Sequence, residues 1–169
     1  MELLISVKFD NEIKEKLMSV IGELKRCTRK GMFFSEQNLR FTLVNISSEE
    51  PDLRPLKKIV NELSLKPFTL KFTALDRSRR DGGDIYWAMA EENENLRKIY
   101  DSLCSVLDEQ GYEYDKNTFR PRVKLGSNII ARPNFEFNEF ECEIKTISLE
   151  KHKFYDRKDR FKSIFERKF

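Results

Sequence analysis

The chain has 169 residues, of which 39% are hydrophobic and 36% are charged. That length suffices to bury a core in one domain, and the hydrophobic content excludes a chain that is disordered throughout. No stretch of the sequence reaches the roughly 18 apolar residues that a membrane-spanning helix needs. The net charge of +3 would not repel a polyanionic partner, but it does not select one.

The cysteines and the first residues bear on the cellular compartment. Cys27, Cys104 and Cys142 are widely spaced and form no CxxC pair, which favours free thiols over a disulfide framework or a zinc site. The apolar run that begins at Leu3 is short and follows an acidic residue, Glu2, unlike a signal peptide. We therefore expect a cytoplasmic monomer that uses no metal, no cofactor and no membrane.

Strands and helices alternate in the first half of the chain. Apolar residues recur at three- and four-residue steps in two segments, as they do on one face of a helix. Gly31 and the polar residues 35–38 predict a loop before the next strand. In chain order the predicted elements are a strand over residues 3–8, a helix from Asn11, a strand over residues 39–46, a helix flanked at its start by Pro51 and Pro55, and a strand over residues 67–75.

The second half repeats this order after a basic turn at residues 76–83. The turn lacks the GxxxxGK[ST] pattern of a nucleotide-binding loop and is interpreted as a solvated hairpin tip. The basic tail, residues 151–169, predicts a terminal strand or helix that packs its aromatic residues on the core; an RNA-binding arm is the alternative. The predicted elements are a strand over residues 85–89, a helix that ends at Gly111, and strands over residues 119–125 and 143–149.

Two short segments look like copies of one another. They are Asn38-Leu39-Arg40-Phe41-Thr42-Leu43 and Phe119-Arg120-Pro121-Arg122-Val123-Lys124-Leu125. A repeat of this kind predicts an α+β fold with two pseudo-symmetric lobes of antiparallel strands, helices on the outer faces and a central groove, all within one domain over residues 1–169. Strand alternation points one polar set into the groove: Arg40, Thr42, Arg120, Arg122 and Lys124. Four cations in a concave site repel one another unless an anion lies among them.

At these segments the chain resembles the 2H phosphoesterase superfamily, specifically its LigT-like group of bacterial 2'-5' RNA ligases and RNA 2',3'-cyclic phosphodiesterases. That family carries a His-x-Thr motif in each lobe, in frames such as Asn-Leu-His-x-Thr-Leu. The strands at residues 83–87 and 147–149 also look similar. Here Arg40 and Arg122 stand at the two histidine positions and Lys124 at the second threonine, so that Thr42 is what remains of the motif.

These departures change the chemistry that the resemblance implies. The family histidines act as general base and general acid, a task suited to an imidazole whose pKa lies near 6.5. Arginine stays charged, and it therefore cannot shuttle protons, but its planar fork of donors matches phosphate oxygens. We expect a catalytically degenerate member that binds a nucleotide, a cyclic oligonucleotide or an RNA phosphate.

Three alternatives stay open. In the first, the protein is an active cyclic phosphodiesterase with a non-standard site, in which Thr42 positions the phosphate and the arginines stabilise developing negative charge. In the second, it is an interaction module that kept the fold for a protein partner. In the third, the arginines pair with acidic residues of the same chain, and the groove binds no ligand.

Two aromatic residues and the single histidine need separate weighing. Tyr86 and Trp87 are candidates to stack on a nucleotide base; the alternative places Trp87 in the core and Tyr86 outward. His152 lies outside both motif frames, and we expect it to be exposed and incidental rather than catalytic.

Overall fold

The computed structural model describes residues 2–47, 52–116 and 119–169. Within these ranges the chain forms nine β-strands and three α-helices, with a short 3-10 helix at Glu36–Asn38. In chain order they are β1 Glu2–Val7, α1 Asn11–Arg26, β2 Thr28–Phe33, β3 Phe41–Ser47, α2 Leu53–Glu62, β4 Phe68–Ser78, β5 Asp84–Ala90, α3 Glu94–Glu109, β6 Arg122–Ala131, β7 Phe140–Ile144, β8 Thr146–Tyr155 and β9 Lys158–Lys168.

The strands form two sheets in which every pairing is antiparallel. The first sheet has the order β3-β1-β8-β9 and the second the order β2-β6-β5-β4-β7. One buried apolar cluster joins residues of both sheets and all three helices, because each sheet has an apolar face that must be covered. The predicted α+β fold with two lobes is confirmed.

The helices follow the apolar periodicity of the sequence. In α1, Ile13, Leu17 and Ile21 are buried, and the Asp10 side chain caps the helix by accepting from the Ile13 amide at 3.0 Å. Pro51, expected at the start of α2, lies outside the described residues. In the described part of the chain, no helix is both long and apolar enough to cross a membrane.

Two strand predictions needed correction. The single strand expected over residues 143–149 is two strands, because the chain passes from one sheet to the other at Lys145: β7 pairs with β4, and β8 pairs with β1. The loop expected around Gly31 is strand β2, which lies at an edge of the second sheet. Its four central residues are exposed, so its sequence lacks the apolar alternation of a half-buried strand.

The basic tail completes a long antiparallel hairpin, β8–β9. Its two-residue turn consists of Asp156 and Arg157, both with positive φ (52° and 60°), as in a type I′ hairpin turn. The expected packing of aromatic residues holds for Phe165 and Phe169, which contact the core cluster. It fails at the tip, where Phe154 is 65% exposed.

Candidate phosphate-binding groove between the sheets

The two repeated segments meet where the sheets approach each other. The buried ring of Phe41 lies 6.2 Å from the ring of Phe119, which in turn stacks on Tyr100 at 4.3 Å. Phe119 and Tyr100, together with the polar side chains of the two segments, line a groove of about 370 Å³. All five residues predicted to face the groove line it: Arg40, Thr42, Arg120, Arg122 and Lys124.

Arg40 lies just before β3 and is held by the end of the 3-10 helix. Its Nε donates to the Asn38 carbonyl at 3.2 Å, and its Nη2 donates to the Gln37 carbonyl at 2.6 Å. Carbonyls at the end of a helix lack partners within the helix. The guanidinium supplies those partners, and so it is fixed in one orientation.

The remaining hydrogen bond of Arg40 goes to a buried carboxylate. Its Nη1 donates to Glu150 Oε2, and the two side chains are only 10% and 3% exposed. Burial lowers the pKa of Arg40, while the charge and hydrogen bond of Glu150 oppose that shift; the guanidinium nonetheless stays charged. Arg40 thus has the acidic partner that one of the open alternatives required, and most of its donor capacity is used within the chain.

Phe161 of β9 contacts two planar groups. The Arg40 Cζ lies 3.5 Å from the Phe161 ring centroid, and the His152 ring stacks on Phe161 with centroids 4.4 Å apart. Strand β9 therefore contributes directly to the packing of the first arginine.

His152 is not the exposed residue that the sequence predicted. It lines the groove, and its side chain is 18% exposed. Its Nδ1 lies 2.9 Å from Glu2 Oε2 and its Nε2 lies 2.8 Å from Asp159 Oδ1. Because both ring nitrogens face carboxylates of the protein, neither is turned toward a substrate.

Arg122 is held more loosely than Arg40. Its guanidinium lies 3.9 Å over the Trp87 ring, and its Nη1 donates to Asp76 Oδ2 at 3.3 Å and to Ser78 Oγ at 3.5 Å. The side chains of Arg122 and Asp76 are 22% and 25% exposed. Arg122 thus also has an acidic partner, but this ion pair is longer and more exposed to solvent than the pair between Arg40 and Glu150.

Further cations surround Arg122. Lys124 Nζ lies 5.3 Å from the Phe34 ring centroid, and Arg120 is exposed. Neither has an ion pair among residues 2–47, 52–116 and 119–169. Burial lowers the pKa of Arg122; Asp76 opposes the shift, and the charges of Arg120 and Arg80 add to it. Positive charge is therefore crowded at the second segment and largely neutralised at the first.

Tyr86 and Trp87 on β5 are arranged in the reverse of the alternative that placed Trp87 in the core and Tyr86 outward. Tyr86 is 2% exposed and packs with Leu24 and Ile129 on the far side of the sheet, which corrects its assignment as a base-stacking residue. Trp87 is half-buried and lines the groove, with its Nε1 donating to Ser78 Oγ at 3.0 Å. Arg122 already covers one face of the indole.

Thr42 sits at an irregularity of the first sheet. Ser6 pairs with Thr42 whereas Ile5 pairs with Val44, so that Leu43 is the extra residue of a β-bulge. Bulges re-aim side chains and are common beside functional sites. The half-buried Thr42 side chain lines the groove together with Leu43.

The acidic partners of both arginines were not predicted from the sequence. Asp76 and Ser78 alternate in the strand beside Trp87, although the sequence placed them in a turn. Glu150 directly follows Ile147, Ser148 and Leu149 in β8, and these four consecutive residues are buried; a carboxylate in such a run signals a buried partner. Among the described residues, no cluster of three or more His, Cys, Asp or Glu side chains is placed to hold a metal ion.

The chain is similar in sequence to two curated proteins. An RNA 2',3'-cyclic phosphodiesterase of Archaeoglobus fulgidus is 25% identical over 129 residues, which cover 75% of this chain and 72% of that protein. The protein of the same name from Thermotoga maritima is 23% identical over 133 residues, covering 75% and 69%. No protein-family model matches the chain.

The fold is similar to solved structures over nearly its whole length. A protein of Thermus thermophilus superposes with a TM-score of 0.78 at 15% identity, covering 98% of this chain and 96% of that one. E. coli LigT in complex with 3'-AMP superposes with a TM-score of 0.76 at 15% identity, covering 99% and 97%. Other crystal structures of E. coli LigT contain ATP, phosphate or NADP+.

Proposed function

We propose that this chain is a LigT-like 2H phosphoesterase that binds the phosphate of a nucleotide, a cyclic oligonucleotide or an RNA end without cleaving it. Its sequence relatives carry the name RNA 2',3'-cyclic phosphodiesterase, and E. coli LigT holds nucleotides in its crystal structures. These similarities support a nucleotide-type ligand in the groove.

The proposal of a degenerate site rests on one observation: neither position of the histidine motif carries a group that transfers protons. Arg40 and Arg122 stay protonated at any physiological pH. His152 lines the same groove, but both of its ring nitrogens are engaged by Glu2 and Asp159. General acid–base help typically contributes about a hundred- to ten-thousand-fold to the rate per group, and the groove lacks it at both positions.

The charges favour an off-centre position for the phosphate. Around Arg40 the groove wall includes Glu2 and Asp159, and the buried Glu150 pairs with Arg40 behind it, so that these carboxylates balance the positive charge. Around Arg122, Arg120 and Lys124 add charge that has no acidic partner in the described ranges. We expect the anion at the β6 side, with Arg122 and Lys124 as its principal ligands, and not midway between the two arginines.

Calorimetric titration with 3'-AMP and with 2',3'-cyclic AMP tests this proposal. Arg122→Ala and Lys124→Ala should each weaken binding about tenfold, the equivalent of about 1.4 kcal/mol for a charge-assisted contact. Arg54→Ala is the matched control, since Arg54 is exposed on α2 and lies outside the groove. Absence of binding, or equal affinity in all four proteins, would contradict the proposal and favour a protein-interaction role.

Thr42 keeps a second function open, cyclic phosphodiesterase activity with a non-standard site. The one retained motif residue faces a cluster of cations that would stabilise negative charge developing on a phosphate. Chromatography of 2',3'-cyclic AMP after incubation with the protein decides the matter. Turnover that disappears in a folded Thr42→Ala variant would replace the degenerate interpretation.

A further inference from the structure

The β8–β9 hairpin extends past the first sheet as a two-stranded ribbon. β1 pairs with β8 as far as His152, and the residues beyond it, 153–160, pair only with each other. We propose that this ribbon binds single-stranded RNA and continues the path of a strand whose phosphate occupies the groove. The inference rests on the proposed function and adds the class of ligand: a polynucleotide and not a mononucleotide.

The ribbon concentrates the positive charge of the molecule. Residues 151–162 contain six Lys or Arg side chains and two Asp side chains, a net charge of +4 with His152 neutral. The whole chain carries +3, so the rest of the protein sums to −1. Across the described ranges, no ion pair engages any of the six cations. A polyanion bound in the groove is therefore attracted to this hairpin as well.

The arrangement of these cations is unfavourable without a ligand. Lys151 is directly opposite Lys162 in the register, and Lys153 is directly opposite Arg160. Like charges facing each other across two strands destabilise the pairing. Both pairs lie on the face of the hairpin opposite to His152. A phosphate backbone that passes onto this face would relieve both repulsions, whereas a neutral ligand would relieve neither.

Exposed aromatic rings lie among the cations. Phe154 and Tyr155 are 65% and 70% exposed, and the Arg160 guanidinium lies 5.8 Å from the Tyr155 ring centroid. Aromatic rings beside cations are the usual means of holding single strands, since bases stack on the rings while the charges follow the phosphates. The tight turn at Asp156 and Arg157 fixes both rings at the end of a short, stiff ribbon.

The ribbon is continuous with the groove. Glu2 and His152 line both the groove and the adjoining hollow, which is formed with Lys153, Phe154, Tyr155 and Arg160. Strand alternation places Phe154 on the same face as His152 and the groove, and Lys153 and Tyr155 on the opposite face, although both also line the hollow. A strand leaving the groove therefore meets Phe154 first and reaches the cations where it passes the edge of the ribbon.

Fluorescence anisotropy with a labelled oligouridylate of about 12 nucleotides tests the inference, and calorimetry with 3'-AMP serves as the parallel measurement. Phe154→Ala/Tyr155→Ala should weaken oligouridylate binding at least about fivefold. Lys153→Ala/Arg160→Ala should reduce the slope of log affinity against log salt by about 1.4, since each single-strand phosphate contact contributes about 0.7. Neither pair should change the affinity for 3'-AMP.

The matched control is Arg29→Ala/Lys30→Ala, which removes the same two charges from exposed positions of the edge strand β2. Oligouridylate binding that is equal in wild type and both hairpin variants would overturn the inference and leave groove binding of 3'-AMP intact. Loss of oligouridylate binding in the control would also overturn it, since net charge would then suffice. Hairpin-dependent binding of the oligonucleotide without any binding of 3'-AMP would uphold the ribbon and refute the groove.

Discussion

The Arg40 guanidinium donates to the buried Glu150 carboxylate, which lies 110 positions later in the chain. The pair joins the end of the 3-10 helix to strand β8, and the Arg40 guanidinium lies over the Phe161 ring. An arginine at a motif position thus acts first as a structural residue, and its effects on stability can be separated from those on ligand binding.

Arg40→Ala should lower the free energy of unfolding by about 3–5 kcal/mol, because it leaves Glu150 buried without a counter-charge. Replacing both residues, in Arg40→Met/Glu150→Met, should cost clearly less, because no unpaired charge is left behind. Urea denaturation of the three proteins measures both effects. A single substitution costing under about 1 kcal/mol would show that the pair is solvated.

Asp76→Asn should tighten 3'-AMP binding about five- to tenfold, because Asp76 now occupies part of Arg122 at 3.3 Å and its charge also repels a phosphate beside that arginine. Asp81→Asn removes the same charge from the exposed turn after β4 and is the control for calorimetry. An equal gain in both variants would mean that net charge, and not release of Arg122, controls affinity.

The triple variant Arg40→His/Arg122→His/Lys124→Thr restores the residues of the family motif. It should hydrolyse 2',3'-cyclic AMP at least about a hundredfold faster than the present chain, since general acid–base catalysis becomes available. The variant Arg40→Gln/Arg122→Gln/Lys124→Thr removes the same charges without supplying imidazoles and should stay inactive. Equal rates in the two folded variants would show that the groove has diverged beyond the motifs.

Stability should fall in mild acid partly through Glu2. The hydrogen bond from His152 lowers the pKa of Glu2 below its ordinary value of 4.5, against the opposing effect of burial. A carboxyl with a lowered pKa contributes stability above about pH 4.5 and loses it as pH falls through the lower value. Unfolding free energies of wild type and Glu2→Gln, measured by urea between about pH 6 and pH 3, should converge toward the acid end; parallel curves would contradict the assignment.

Gly126→Ala should destabilise the protein by about 1–3 kcal/mol. A Cβ at this position would lie 2.5 Å from the Met32 carbonyl oxygen and 3.1 Å from the Phe33 Cα, which would press β6 against β2. The control is Gly22→Ala in α1, where a Cβ meets nothing within 4 Å and should stabilise by about 0.5–1 kcal/mol. Thermal unfolding compares the two variants. An unchanged stability in Gly126→Ala would mean that β2 shifts to make room for the added Cβ.

The sequence was sufficient wherever a regular pattern carried the information. The apolar spacing of Ile13, Leu17 and Ile21 predicted α1, and alternation in the two repeated segments placed Arg40, Thr42, Arg122 and Lys124 in one groove. These features depend on local periodicity and on a repeat, both of which can be counted in a single sequence.

The rest depended on tertiary contacts that periodicity does not encode. Alternation separates the side chains of Tyr86 and Trp87 but does not say which sheet face is covered; Tyr86 was therefore wrongly taken as a base-stacking candidate, and the alternative reversed both residues. His152 looked incidental because its partners, Glu2 and Asp159, come from two other strands. Edge strand β2 has no apolar alternation to detect.

The contact between Phe161 and Arg40 also implies an order in which parts of the fold form during synthesis. During synthesis the first repeated segment emerges early, yet neither Glu150 nor Phe161 exists until more than 100 further residues have been added. Local elements such as α1 can form on the ribosome, whereas contacts of such long sequence separation form late. The groove is therefore completed by the last hairpin, and any delay in forming that hairpin leaves a charged, half-built site exposed on a chain that is otherwise largely folded.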